Sequence, residues 1–161
     1  MVNKYEVFSK LFSSLPLRDR PIIVGGSAVE FYTRGRFETR DFDIIGDYKK
    51  LDKYLILKGF ERKGRHYYKH GILIEIVAPF TSERVKTIVI GKRNMRIISL
   101  EDLIVDRLSA CVHWGSVRDC EQAEFLFGFY KKNLDRKYLR ERAKEEGVYG
   151  ELTRISRLKT M

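Results

Sequence analysis

Little in this sequence can staple or break a chain: it has two cysteines and three prolines in 161 residues. Cys111 and Cys120 are nine positions apart and form no CxxC pair, and Met1–Glu6 lacks the apolar stretch of a secretory leader. Both are therefore expected as reduced, buried or half-buried thiols in a cytoplasmic protein. No run reaches the ~18 apolar residues a membrane helix needs, since Ile72–Pro79 is interrupted by Glu75. Repeats and low-complexity tracts are also absent, and a composition of 43% hydrophobic and 34% charged residues excludes a disordered or collagen-like chain. One glutamine and three asparagines among so many charges resemble a heat-adapted composition. The length suits a single domain, 1–161, able to bury its own core.

Positive charge is abundant. Lysine and arginine number 32 against 22 acids, a net charge of +10. Residues 131–161 hold ten basic and five acidic side chains, so half the excess lies there. Such a field suits a polyanion, and residues 131–159 are one candidate RNA surface; the plain alternative is a solvated helix face. A second lies at 62–69, where Arg62, Lys63, Arg65 and Lys69 interleave with Phe60, Tyr67 and Tyr68. Bases stack on aromatics and phosphates pair with cations, so this spacing suits a single strand, as it also suits an exposed hairpin of a basic protein.

Periodicity orders the elements. Tyr5, Phe8, Leu11 and Phe12 share a helical face within 3–14, closed by Pro16. Pro21–Val24 reads as a buried strand ended by Gly25-Gly26, with Ser27 capping a helix to about Thr33. A polar loop, Arg34–Arg40, leads to a strand at Asp41–Ile45, and a helix around Leu51–Leu57 ends at Gly59. Phe60–Lys69 and Ile72–Val77 flank His70-Gly71 as a hairpin, and Val85–Ile90 and Met95–Ile98 form another through Gly91–Asn94. Ser99-Leu100-Glu101-Asp102 fits a capping box. From there the reading is helical, at roughly 100–113, 118–131, 135–146 and 149–158. The fold class is α/β or α+β, with a core at about 20–98 and a helical C-terminal part at about 99–161.

The chemistry concentrates around two glycines and three acids. A strand, Gly25-Gly26-Ser27 and a helix start together form a phosphate cradle, because glycine lets the backbone approach an anion and the first helical N–H groups point at it. Asp41 and Asp43, at i and i+2 of a strand, share one face and can converge on a cation. Glu75 sits in a nearly all-β-branched strand whose two faces are both expected to be covered. A lone carboxylate there is costly unless paired or metal-bound. Three acids beside a phosphate turn suit Mg²⁺, which takes carboxylate oxygens together with substrate phosphates. Arg36 or Arg40 can pair with departing phosphates or neutralise the acids at rest.

These residues resemble the nucleotidyltransferase superfamily, the DNA polymerase β-like fold. Its signature is hydrophobic–Gly–Gly/Ser, about a dozen residues, then Asp–hydrophobic–Asp/Glu–hydrophobic, with a third carboxylate on a later strand. Gly25-Gly26-Ser27 match the first part, Asp41-Phe42-Asp43-Ile44 the second, and Glu75 stands where many relatives have Asp. Thirteen residues separate Ser27 from Asp41, or fourteen counted from Gly25-Gly26. Tyr32-x3-Arg36-x2-Thr39-x-Asp41 also resembles the minimal prokaryotic branch related to AbiEii-type toxins, as does Ser99–Leu103 with Arg107 and Asp119.

The resemblance implies a mixed β-sheet carrying packed helices, and transfer of a nucleoside monophosphate from an NTP to a hydroxyl of RNA, protein or a small molecule. It further implies Mg²⁺, or Mn²⁺, on Asp41, Asp43 and Glu75, which are also the catalytic acids. Nucleotide is expected at Gly25, Gly26, Ser27, Arg36, Thr39 and Arg40. The toxin branch would add an antitoxin-like protein partner, and a non-catalytic nucleic-acid- or protein-binding module on the same fold is the alternative. Other clusters carry less. His66 and His70 lie in the expected hairpin with no Cys or carboxylate partner, so zinc is not expected. Asp102, Asp106 and Arg107 read as a structural ion-pair helix.

Overall fold

The computed structural model describes residues 3–158; Met1 and Val2, and Lys159 at the end of the basic tail, lie outside the described residues. The elements run α1 (Lys4–Leu11), β1 (Ile22–Val24), α2 (Gly25–Tyr32), β2 (Asp41–Ile45), α3 (Tyr48–Leu57), β3 (Glu61–Lys63), β4 (His66–Lys69), β5 (Ile72–Ala78), β6 (Val85–Ile90), β7 (Arg93–Ile98), α4 (Leu100–Trp114), α5 (Val117–Tyr130), α6 (Arg136–Glu145) and α7 (Tyr149–Ser156). The strands form one mixed sheet in the order β3-β4-β5-β2-β1-β7-β6. At its centre β2 runs antiparallel to β1 and parallel to β5, and β1 runs parallel to β7.

Strand alternation decides what each face does. Ile23, Phe42, Ile44, Ile74, Ile76 and Ile97 point to one face and are buried. There α1 and α3 cover them, with the Phe8 ring 4.5 Å from Phe42 and Phe12 stacked 5.6 Å from Tyr54. Asp41, Asp43 and Glu75 alternate to the other face and are half-buried. The expectation that both faces of β5 are covered is therefore corrected: an interior strand can still open one face where no helix lies over it.

Helix α4 is anchored by a fully buried acid. Ser99 caps it, accepting the Asp102 N–H at 3.1 Å and donating its hydroxyl to the Asp102 carboxylate at 2.6 Å. The same carboxylate accepts from the Arg84 amide, the Tyr138 hydroxyl and Arg142 Nε, at 3.0, 2.8 and 3.1 Å. A buried charge so fully partnered ties α6 to α4, as the reading of a structural helix anticipated.

Four local expectations are revised. Ser27 is the third residue of α2 rather than its cap, because the helix begins at Gly25 with Val24 in the cap position. The strand expected over Phe60–Lys69 splits at Gly64 (φ +61) into β3 and β4. Phe60 and Tyr67 are buried, and the Tyr67 hydroxyl donates to Asp52 at 2.6 Å, so only Tyr68 of that hairpin's aromatics offers an open face. Cys111 and Cys120 form a disulfide, with Cα atoms 4.8 Å apart. The chain reverses at Gly115 (φ +66), laying α5 back against α4 and bringing the two positions together. Compartment arguments at the sequence level do not contain that hairpin geometry.

Basic residues of the tail are partly neutralised within the fold: Arg142 pairs with Asp102, Glu145 and Glu146, and Arg154 with Glu124 and Glu151. Among the described residues, no helix is long and apolar enough to cross a membrane.

Candidate active site

The site is built where β1 gives way to α2. Gly25 adopts φ +58, and a Cβ there would stand 2.6 Å from Asp43 Oδ2. Both the left-handed backbone and the close approach of the carboxylate require glycine. Gly26 is freer, since its Cβ would meet Thr39 Oγ1 at an ordinary 3.5 Å. The Gly26 amide donates to the Asp43 carboxylate, which lowers that group's pKa against a larger opposing effect. Ser27 is fully buried; its hydroxyl donates to the Val24 carbonyl (2.9 Å) and accepts the Asp43 N–H (3.1 Å). Its side chain is thus engaged in joining β1 to β2.

The acids lie one strand away. Thr39 Oγ1 donates to Asp41 Oδ1 at 3.1 Å, and the Thr39 amide donates to Glu30, itself paired with Lys4 at 3.0 Å. This chain of contacts seats the loop that enters β2. Asp43 is in register with Glu75 across the parallel β2–β5 pair. Burial first, then Asp41 and Glu75, push the Asp43 carboxyl up to about 6; the Gly26 amide and Arg107 pull the other way. Among the described residues, no lysine or arginine forms an ion pair with Asp41 or Asp43, whereas Arg107, 19% exposed, is held by Asp106 and Asp119. Arg36 instead lies 4.7 Å over the Phe125 ring, and Arg40 is exposed.

Glu75 has turned to its other neighbour. His66 faces it across the antiparallel β4–β5 pair, with Nε2 2.9 Å from Oε1, and Arg65 Nε stands 3.8 Å from Oε2. The expectation that His66 lacks a carboxylate partner is overturned. Among the described residues, no group of three or more His, Cys, Asp or Glu side chains stands together as a metal site. Two unneutralised carboxylates still fit Mg²⁺, which binds through one or two carboxylates plus substrate phosphates and keeps water for the rest.

A cavity of about 280 Å³ opens beside these groups, lined by Gly25 and Asp43 on its sheet side, by Asp106 and Arg107 on α4, and by Glu83. Sequence reasoning missed His66, Glu83 and Arg107 as neighbours of the site. His66 was within reach: pairing outward from His70-Gly71 matches Lys69 with Ile72, and three further steps match His66 with Glu75. Arg107 leaves no comparable signal, because its approach depends on how α4 crosses the sheet.

Comparison with known proteins matches this geometry at the level of architecture. No family model and no curated protein matches the chain. Among solved structures, the antibiotic-resistance factor ANT(2'')-Ia in solution superposes with a TM-score of 0.58 at 15% identity, over 94% of this chain and 95% of that one. The crystal structure of ANT(2'')-Ia in complex with adenylyl-2''-tobramycin gives 0.53 at 17% identity, over 88% and 99%. An antigenic nucleotidyltransferase-like protein from Paracoccidioides brasiliensis gives 0.56 at 15% identity, over 92% and 88%. The structural neighbours are nucleotidyltransferases, and at these identities the likeness is one of fold.

Proposed function

We propose that this protein transfers a nucleoside monophosphate from an NTP to a hydroxyl acceptor. The observation that carries the reading is the state of Asp43: a half-buried carboxylate between Asp41 and Glu75, without a cationic side chain on it, pressed against the Gly25 turn. Uncompensated negative charge in that position is unfavourable for the protein alone and favourable for a cation brought in with a triphosphate. The triphosphate lies along Gly25 and Gly26, near Thr39. Asp41 and Asp43 hold Mg²⁺ or Mn²⁺, which when bound stabilises charge on the transferring phosphoryl group. The acceptor oxygen forms a bond to the α-phosphorus, the bond from that phosphorus to the bridging oxygen breaks, and pyrophosphate leaves with the electron pair. Glu75 takes the acceptor proton, and His66 and Arg65 orient its carboxylate.

The acceptor is a hydroxyl of RNA, protein or a small molecule. The ANT(2'')-Ia complex with adenylyl-2''-tobramycin supports the small-molecule class by analogy of fold. Kinship with the branch related to AbiEii-type toxins, and with it an antitoxin-like partner, rests on the Tyr32–Asp41 loop and on Ser99–Leu103 with Arg107 and Asp119. The engagement of Glu75 by His66 favours a second reading, a non-catalytic module on this fold.

One experiment separates the two. Incubation of an RNA, a protein or a small-molecule hydroxyl acceptor with each α-labelled NTP, with and without Mg²⁺, is expected to move the label onto the acceptor in a metal-dependent reaction that Asp43→Asn abolishes. Metal-dependent NTP stabilisation without turnover against any acceptor class supports the module. Absence of any metal-dependent NTP effect on melting overturns the site itself.

A further inference from the structure

The loop before β2 and helix α5 bring three phenylalanines and three arginines onto one surface. Phe125 and Phe129, one turn apart on α5, stack at 5.6 Å with 15° between their planes, and Phe37 meets Phe125 edge-on at 6.0 Å. Arg36 lies 4.7 Å over Phe125, Arg34 5.7 Å over Phe129, and Arg118 5.9 Å from Phe37. Phe129 is 52% exposed, and all three arginines are exposed. Arg118 also donates to the Glu38 carbonyl at 3.4 Å. None of the three forms an ion pair with an acid among the described residues, although Arg107, Arg142 and Arg154 are each held by two or more carboxylates. This face therefore keeps its positive charge together with an open aromatic ring, Phe129.

A ligand that satisfies both features has flat π faces and a polyanionic backbone. A duplex hides its base faces, and an acidic peptide has carboxylates but no regular series of rings. Phe37 is also only four residues ahead of Asp41, whose carboxylate is tied back to that loop by Thr39. We infer that the Arg34–Phe37–Arg118–Phe129 face binds single-stranded nucleic acid, with bases stacked on Phe125 and Phe129 and phosphates on the arginines. On the nucleotidyl-transfer reading above, on which this step alone rests, the strand's terminal hydroxyl is the acceptor.

The test is a fluorescence-anisotropy titration of a labelled twelve-nucleotide oligo(A) RNA over a salt series, without NTP or metal. Three phosphate contacts predict a log–log salt slope near −2, from about −0.7 per contact on a single strand. The double variant Arg34→Gln/Arg118→Gln is expected to flatten that slope by about 1.4 and to weaken binding at low salt at least tenfold. Phe129→Leu, which keeps an apolar side chain on an exposed position, is expected to weaken binding by roughly fivefold to a hundredfold with the slope unchanged. Equal melting temperatures for parent and variants establish that the fold is intact. Absence of binding at low salt overturns the inference, as does binding that Phe129→Leu leaves untouched. Binding of poly-glutamate that matches the RNA and ignores Phe129→Leu would assign the face to an acidic protein instead. Failure of the transfer reading is distinguishable: Asp43→Asn keeps RNA binding, and RNA bound without nucleotide addition removes the acceptor role while leaving the surface.

Discussion

His66 and Glu75 face each other across β4 and β5, imidazole Nε2 to carboxylate Oε1 at 2.9 Å, and Glu75 is in turn the register partner of Asp43 on β2. Three adjacent strands therefore present Asp43, Glu75 and His66 in one row. Since the side chain of His66 is 44% exposed and that of Arg65 66%, their pairing with Glu75 is worth no more than about 1 kcal/mol. Glu75→Gln is accordingly expected to change stability by less than about 1 kcal/mol in urea denaturation while removing transfer. A loss of stability well beyond that, with transfer retained, would make Glu75 a structural residue.

Asp43 sets a pH dependence. Its carboxyl is raised to about 6 in the folded protein from an ordinary value of 3.8, so the native state holds more protons than the unfolded state between those values. The stability contributed by protonated Asp43 is complete below about pH 4 and is lost as pH rises through 6. With metal chelated, Asp43→Asn is expected to raise stability at pH 7.5 by on the order of 1 kcal/mol after allowance for solvent screening, and to change nothing at pH 4. Melting curves across this range decide it; a variant less stable at pH 7.5 would reverse the sign and refute the assignment.

Gly25 and Gly26 should part company. Gly25→Ala forces a side chain into a left-handed backbone and toward Asp43 Oδ2, at a cost of about 1–2 kcal/mol, and is expected to abolish Mg²⁺-dependent NTP stabilisation. Gly26→Ala meets Thr39 at van der Waals distance and is expected to melt within about 1 kcal/mol of the parent. Differential scanning fluorimetry of both, with and without Mg²⁺ and NTP, checks the contrast.

Asp102 is the acid whose removal should damage the fold itself. Asp102→Ala leaves Arg142, Tyr138 and the Arg84 amide without their shared acceptor, an expected loss of about 3 kcal/mol. In a chain of this size that corresponds to a fall in Tm of roughly 6–12 °C. A shift of only one or two degrees would mean that water replaces the carboxylate.

The Cys111–Cys120 disulfide closes a short loop, for which chain entropy gives an upper value of about 2–3 kcal/mol. Reduction under native conditions is expected to lower Tm by several degrees, and Cys111→Ser/Cys120→Ser to match the reduced parent. Identical melting with and without reductant would show that the α4–α5 hairpin is held by packing alone.

Much of this was legible from local pattern. Asp41-x-Asp43 gave its shared face because strand alternation is a property of the residues themselves, and Ser99 announced α4 through a contact three residues away. What escaped reading depends on partners far along the chain. Ser27 reads as a helix cap until β2 arrives to use its hydroxyl. Phe60 and Tyr67 look like open stacking rings until α3 covers them, whereas Phe125 and Phe129, spaced like core residues of a helix, stay partly outside. The disulfide follows from a helical hairpin, and hairpins of helices are set by tertiary packing rather than by periodicity.

At Ser27 three stretches of chain meet on one residue: its hydroxyl joins Val24 to Asp43, and its carbonyl accepts the Tyr5 hydroxyl of α1 at 2.7 Å. The glycine turn and the acid strand are consequently one stiff body, unable to separate without breaking a buried knot. At one border of the sheet, by contrast, β3 is exposed along its whole length. The groups assigned to the nucleotide in the proposed transfer thus sit within that knotted centre, while Arg65 and His66 stand beside the exposed border strand.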